Sequence, residues 1–251
     1  MMTNDKIYFV ANWKMFGLLN SVDRINKVIN LSKKRTFKNI KIVYCPPITI
    51  LSTFANKIKN KNIKLGAQNI YHIENFGSYT GNVNAKMIKD IGATYVILGH
   101  SESRKDGDND NIINKKIQIA LGEKIKVIFC IGENLIERKK KRTSVVLKKQ
   151  IFNALKGIKN IKNIIFAYEP VWSIGTGKIL KPKDLYHDIK NIKTIIRKKY
   201  KSNKIKILYG GSVNPKNIKD FKKVTNLSGF LIGGASQDQN KFIDIINKTF
   251  N

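Results

Sequence analysis

The chain has 251 residues, 42% of them hydrophobic, and 48 Lys and Arg against 17 Asp and Glu give a formal charge of +31. Length and apolar share support a substantial core and exclude a disordered chain. Two cysteines, Cys45 and Cys130, both in apolar runs and without metal-ligand spacing, exclude a disulfide framework and read as reduced core thiols.

Short apolar, β-branched runs recur along the chain and predict strands over Ile7–Asn12, Ile40–Cys45, Ile63–Ala67, Tyr95–Leu98, Lys126–Ile131, Ile164–Tyr168, Ile205–Tyr209 and Gly229–Ile232. Amphipathic helices are expected between them, over Ser21–Lys33, Ile112–Leu121, Val145–Lys156 and Pro182–Tyr200 among others. About eight such β–α alternations without a linker predict an α/β fold, a single (β/α)8 TIM barrel forming one domain over residues 1–251. An open doubly wound sheet fits less well, because the first strand runs into NWKMFG rather than a glycine-rich dinucleotide turn. The opening MMTNDK is polar where a secretory leader is apolar, and no apolar run is long enough for a bilayer, so a cytoplasmic protein without membrane contact is expected.

Lysine is spread through nearly every expected helix, and the densest run, Arg138–Arg142, reads as a solvated helix face. A broad coding bias accounts for such a distribution better than a nucleic-acid surface, so no specific nucleic-acid partner is expected. Lysines gathered into one continuous stripe would count against that origin.

Barrel closure carries the strand ends to one face, where several polar residues are expected to converge. Asn12 and Lys14 follow the first strand. His100 follows the fourth, with Ser101 and Glu102 opening a helical turn whose amino end favours a neutral imidazole. Glu169 ends the sixth strand in AYEPVWSIGTGK, where stiff Pro170 and Trp172 flank a small-residue tip containing Gly175 and Gly177, the pattern of a lid. YGGSV, with Ser212, follows the seventh strand and Gly233, Gly234 the eighth, the usual phosphate-binding places of this fold. A carboxylate base, a neutral donor, a lysine, a phosphate cradle and a lid suit proton transfer beside the carbonyl of a small phosphorylated substrate, with no cofactor.

The motifs NWKMFG, GHSESR, CIGE, AYEPVWSIGTGK, LYGGSVNP and GFLIGGAS, in this order over nearly the whole chain, resemble those of the triosephosphate isomerase family. The resemblance implies interconversion of dihydroxyacetone phosphate and glyceraldehyde 3-phosphate through an enediol, in glycolysis and gluconeogenesis. It implies catalytic roles for Glu169, His100, Lys14, Asn12 and Glu102, and substrate binding by Asn12, Lys14, Gly175, Ser212, Gly233 and Gly234. Ile174 and Leu231 would flank Glu169 under a closed lid held by Tyr209 and Ser212, and Glu133 would pair with Trp172 when the lid is open. A homodimer is implied, with the Phe76–Gly81 loop inserting Thr80 beside the partner's site.

Three departures bear on that dimer: Phe16 stands where the family has Asn, Asn82 where it has Glu, and Ser103 where it has Arg. Loss of an opposite-charge pair together avoids one buried unpaired charge, so a dimer with an altered polar network is expected. KDGDND after Arg104 is one residue short, which questions that pocket, and bulky Ile179 and Leu180 at the far lid hinge are expected to slow closure. Two other readings compete: a barrel isomerase of amino-acid biosynthesis, which would not need Glu169 together with His100, and a basic RNA-associated protein with a vestigial site.

Overall fold

The computed structural model describes residues 6–34, 39–59, 61–174 and 178–250. Eight strands form one closed parallel barrel in chain order: β1 (Ile7–Asn12), β2 (Ile40–Cys45), β3 (Ile63–Ala67), β4 (Tyr95–Leu98), β5 (Lys126–Ile131), β6 (Ile164–Tyr168), β7 (Ile207–Tyr209) and β8 (Gly229–Ile232). The expected barrel is therefore present. Seven strands have the expected bounds, and β7 begins two residues later, at Ile207. Closure is made by β1 pairing with β8, with Phe9 opposite Phe230.

Strand alternation sorts the core into two shells. Tyr8, Val10, Val43, Cys45, Tyr95, Ile97, Ile128, Cys130, Ile165, Ala167, Leu208 and Leu231 form one buried cluster that fills the barrel. The intervening strand residues, such as Phe9, Tyr44, Phe129 and Phe166, join a larger cluster with the apolar stripes of the helices. Both cysteines are free and buried.

The helices depart from expectation at their ends. Ser21–Lys33 is not one helix: a 3-10 segment, Leu19–Ile25, leads into α1 (Asn26–Ser32), and its start is fixed by the Leu18 N–H donating to Ser21 Oγ at 3.0 Å. After α2 (Leu51–Ile58), α3 (Ala85–Asp90) and α4 (Ser101–Lys105), helix α5 spans Asp110–Gly122 because Asn109 accepts from the N–H groups of Asn111 and Ile112. Following α6 (Leu135–Lys139), α7 spans Thr143–Ala154, two residues earlier than expected at each end. Helix α8 (Pro182–Tyr200) matches its expected bounds, opened by proline and stopped by Lys201 at φ 49°. Helices α9 (Ile218–Phe221) and α10 (Gln239–Phe250) complete the wall. Among the described residues no helix is long and apolar enough to cross a membrane, and no cluster of His, Cys, Asp and Glu has the makings of a metal site.

Candidate active site

At the carboxyl ends of the strands lies a cavity of about 390 Å³. Asn12, Lys14, His100, Glu169, Ser212, Gly233 and Gly234 all line it, together with Ile174 and Leu231. Residues separated by more than two hundred positions thus share one space. Gly175 and Gly177 lie outside the described residues.

Lys14 is held in an unusual conformation. Its φ is 55°, left-handed and costing a non-glycine residue roughly 1–2 kcal/mol. Three contacts hold it there: the Lys14 N–H donates to Asn12 Oδ1 at 3.1 Å, Gln68 Nε2 donates to the Lys14 carbonyl at 2.9 Å, and Gln237 Nε2 donates to the Trp13 carbonyl at 3.2 Å. The buried indole of Trp13 anchors the loop by donating to the Ser236 carbonyl at 3.0 Å. The backbone strain thereby turns the ammonium toward Glu102, whose Oε1 it meets at 2.6 Å.

Glu102 does not line the cavity. Its side chain is exposed and stands behind Lys14 and His100. Burial tends to raise its pKa, but the hydrogen bond from Lys14 and the positive charges around it hold the carboxyl below the usual range. Glu102 therefore stays ionised and fixes the ammonium.

His100 is buried, and its Nδ1 accepts from the Glu102 backbone N–H at 3.2 Å. Accepting there places the proton of a neutral ring on Nε2, which faces Glu169 Oε1 at 3.4 Å. Arg104 braces the same strand ends: Nε donates to the Gly99 carbonyl at 2.8 Å and Nη1 to Asp110 Oδ1 at 2.8 Å. Nothing in GHSESR marks Arg104 for this task, because its partners are a backbone carbonyl and a residue of α5.

The Glu169 carboxylate is 2% exposed. Burial, the largest influence, raises its pKa above the usual carboxylate range against the opposing effects of His100, a hydrogen bond from the Cys130 thiol, and Lys14. Two glycines make room for this residue: a Cβ on Gly132 would stand 1.7 Å from the Glu169 carbonyl oxygen, and one on Gly210 would stand 2.7 Å from Glu169 Cγ.

Beside the lid root, Trp172 Nε1 donates to Glu133 Oε1 at 3.1 Å, the pairing expected of an open lid. Glu133 is wholly buried, and burial raises its pKa. Tyr168 donates toward it at 3.1 Å, and Arg138 binds Asp188 at 2.7 Å beside it, a support that the sequence reading lacked because it joins β6, α6 and α8. Tyr209 is buried with its hydroxyl near Ser173 Oγ, and among the described residues it completes no hydrogen bond of good geometry. Of the two hinge residues, Ile179 is exposed but Leu180 is core, so only Ile179 is free to affect lid motion without a packing loss.

The shortened segment after Arg104 closes on itself. Asp108 accepts from Lys116 with both oxygens at 2.7 Å, and Asn69 Oδ1 accepts from the same ammonium at 3.1 Å. These two acceptors satisfy the buried Lys116 ammonium without an arginine at position 103.

A parallel (β/α)8 barrel with a desolvated carboxylate, an imidazole N–H and an ammonium facing a glycine-rich wall at its strand ends belongs to the class of barrel enzymes built for acid–base chemistry. The sequence pattern of triosephosphate isomerase matches residues 7–249. Similar curated proteins are the triosephosphate isomerases of Alkaliphilus oremlandii, 40% identical over 249 residues covering 96% of this chain and 99% of the relative, and of Dictyoglomus thermophilum, 42% identical over 243 residues covering 94% and 96%. The crystal structure of triosephosphate isomerase from Bartonella henselae superposes with a TM-score of 0.89 at 32% identity, covering 98% of this chain and all of that one. The chain belongs to the triosephosphate isomerase family.

Proposed function

We propose that the chain interconverts dihydroxyacetone phosphate and glyceraldehyde 3-phosphate, with Glu169 as the base. The Glu169 carboxylate removes a proton from the carbon next to the substrate carbonyl. The C–H electron pair becomes the enediolate double bond, and the carbonyl oxygen takes the negative charge. His100 Nε2–H and the Lys14 ammonium meet that oxygen, and Asn12 helps to position it. His100 gives its Nε2 proton to that oxygen and takes the proton of the hydroxyl on the deprotonated carbon, whose oxygen becomes the new carbonyl, while protonated Glu169 returns its proton to the former carbonyl carbon. Glu102 acts one step back, as the positioning residue for Lys14. Ser212, Gly233 and Gly234 bind the phosphate, joined by Gly175 when the lid closes.

The observation carrying this reading is the 3.4 Å approach of His100 Nε2 to a buried Glu169 in a cavity that Lys14 also enters. Closure would place Ile174 over the site opposite Leu231, strip water from the base, and give the Tyr209 hydroxyl a partner. A coupled assay of glyceraldehyde 3-phosphate formation tests it. Wild type turns over, and His100→Gln falls by a factor on the order of 10²–10⁴; a variant within threefold of wild type would remove His100 from the mechanism.

The wider reading is one domain over residues 1–251, in the cytoplasm, acting as a homodimer. In support of the dimer, Met15, Phe16, Leu18, Leu19 and Phe76 are all more than half exposed, as apolar side chains at an interaction surface are. A groove of about 540 Å³ beside them is lined by Lys14, Gln68, Asn69 and Asn82, and the exposed Thr80 loop begins at its edge. The partner's Thr80 loop would fill that groove and press on Lys14. A monomer at micromolar concentration in sedimentation velocity would refute the dimer.

A further inference from the structure

The end of the barrel opposite the active site carries an unexplained charge cluster. Tyr8, Val43, Ile128 and Leu208 point into the barrel, and Lys6, Lys41, Lys126 and Lys206 each lie two residues before one of them, on the same inward side. Lys64 lies two before Gly66, whose Cβ would meet the inward-facing Cys45, Tyr95 and Val43. Five of the eight strands thus bring a lysine to the amino-terminal mouth on its inner side. Far apart in sequence, the five become one ring when the sheet closes.

The ring has a floor. Tyr8 and Tyr95, both buried, seal the barrel interior beneath it. Lys206 Nζ donates to the Tyr8 hydroxyl at 3.3 Å and lies 5.4 Å from that ring's centre, and Lys126 lies 5.6 Å from the centre of Tyr95. Among the described residues none of the five lysines has a carboxylate within ion-pair distance. Burial first, and then the charges of Lys6, Lys64, Lys126 and Lys206, lower the pKa of Lys41. Like charges converging on a tyrosine floor are mutually destabilising unless an anion joins them.

We propose that this mouth is an anion-binding site, distinct from the active site, whose occupant is a compact polyphosphate. Several lysines on a closed ring match an anion of several charges in a small volume. Lysine meets phosphate as a point charge and needs no forked geometry. An extended polymer would instead call for cations along a stripe.

The test is isothermal titration of the full chain with inorganic tripolyphosphate and, separately, with ATP, both at saturating dihydroxyacetone phosphate so that the active-site cavity is filled. The proteins compared are wild type, the ring variant Lys41→Gln/Lys64→Gln/Lys126→Gln, and a control of equal charge loss, Lys139→Gln/Lys140→Gln/Lys141→Gln. The expected result is binding of at least one probe by wild type and control, weakened at least tenfold in the ring variant. The tighter probe then shows whether the source is a nucleotide or an inorganic chain. Turnover and melting temperature at or above wild type would certify that the ring variant is folded. Equal weakening in the control, equal binding by the ring variant, or no binding of either probe below millimolar concentration would overturn the proposal. So would tighter, ring-dependent binding of a single-stranded oligonucleotide, which would assign the mouth to a polymer.

Discussion

Replacing Gly210 by alanine would place a methyl group 2.7 Å from Glu169 Cγ and 3.1 Å from its Oε1. Carbon atoms in contact settle at about 3.5–4.0 Å, so the carboxylate must retreat by roughly 1 Å. Gly210 is not at positive φ, so the backbone accepts alanine and the side chain has to give. Retreat by that amount changes the 3.4 Å approach to His100 and misplaces the base. A 1 Å error in a reacting group costs on the order of 10²-fold in rate. Steady-state kinetics in the direction of glyceraldehyde 3-phosphate formation should show kcat reduced by about that factor with KM changed little, because the phosphate contacts lie elsewhere. Gly234→Ala is a contrast in stability alone, since a Cβ there meets no protein atom within 4 Å and the melting temperature should hold. A Gly210→Ala enzyme within twofold of wild-type kcat would refute the argument that this close approach positions Glu169.

Burial raises the folded-state pKa of Glu169 above its unfolded value, so the ionised carboxylate lowers stability at pH above that raised pKa and the penalty vanishes below about 4.3, where both states are protonated. Glu169→Gln should therefore melt higher than wild type at pH 8 and equally at pH 4, and a constant difference across pH would contradict this. For the same reason the acid limb of kcat/KM should lie above the ordinary carboxylate range. Asp108→Ala strands the buried Lys116 ammonium and should cost about 3–5 kcal/mol, or roughly 6–20 °C in Tm at this chain length. Asp108→Ala/Lys116→Met should recover much of it, and a double variant no better than the single would show that the pair is not the cause. Ile179→Thr should raise turnover if the bulky hinge slows the lid, and unchanged kinetics would acquit it. The positive field should also speed capture of the anionic substrate, so kcat/KM should fall as ionic strength rises.

The barrel was legible because its strands are short β-branched runs bounded by polar segments, a signal that burial on both faces makes strong. Asn12, Lys14, His100 and Glu169 were legible because each stands at the end of such a run or within two residues of it. Glu102 stands one step behind the cavity, because adjacency to His100 in sequence sends its carboxylate to the Lys14 ammonium and to the Nδ1 side of the imidazole. The 3-10 entry to α1 was missed because its apolar spacing imitates a longer helix. Cys130 reads as one more core thiol until barrel closure brings β5 against β6 and Glu169. The lysine ring was invisible for a related reason, since its members alternate with apolar residues on separate strands and become neighbours only in the closed sheet.

Solvent hydrogen exchange addresses the chemistry without a coupling enzyme. Dihydroxyacetone phosphate incubated with the protein in D2O should gain deuterium on the carbon that Glu169 deprotonates, followed by proton NMR, and Glu169→Gln should slow that gain by several powers of ten, on the order of a lost acid–base contribution. Deuterium entering at the wild-type rate in the Glu169→Gln protein would contradict the assignment of Glu169 as the base.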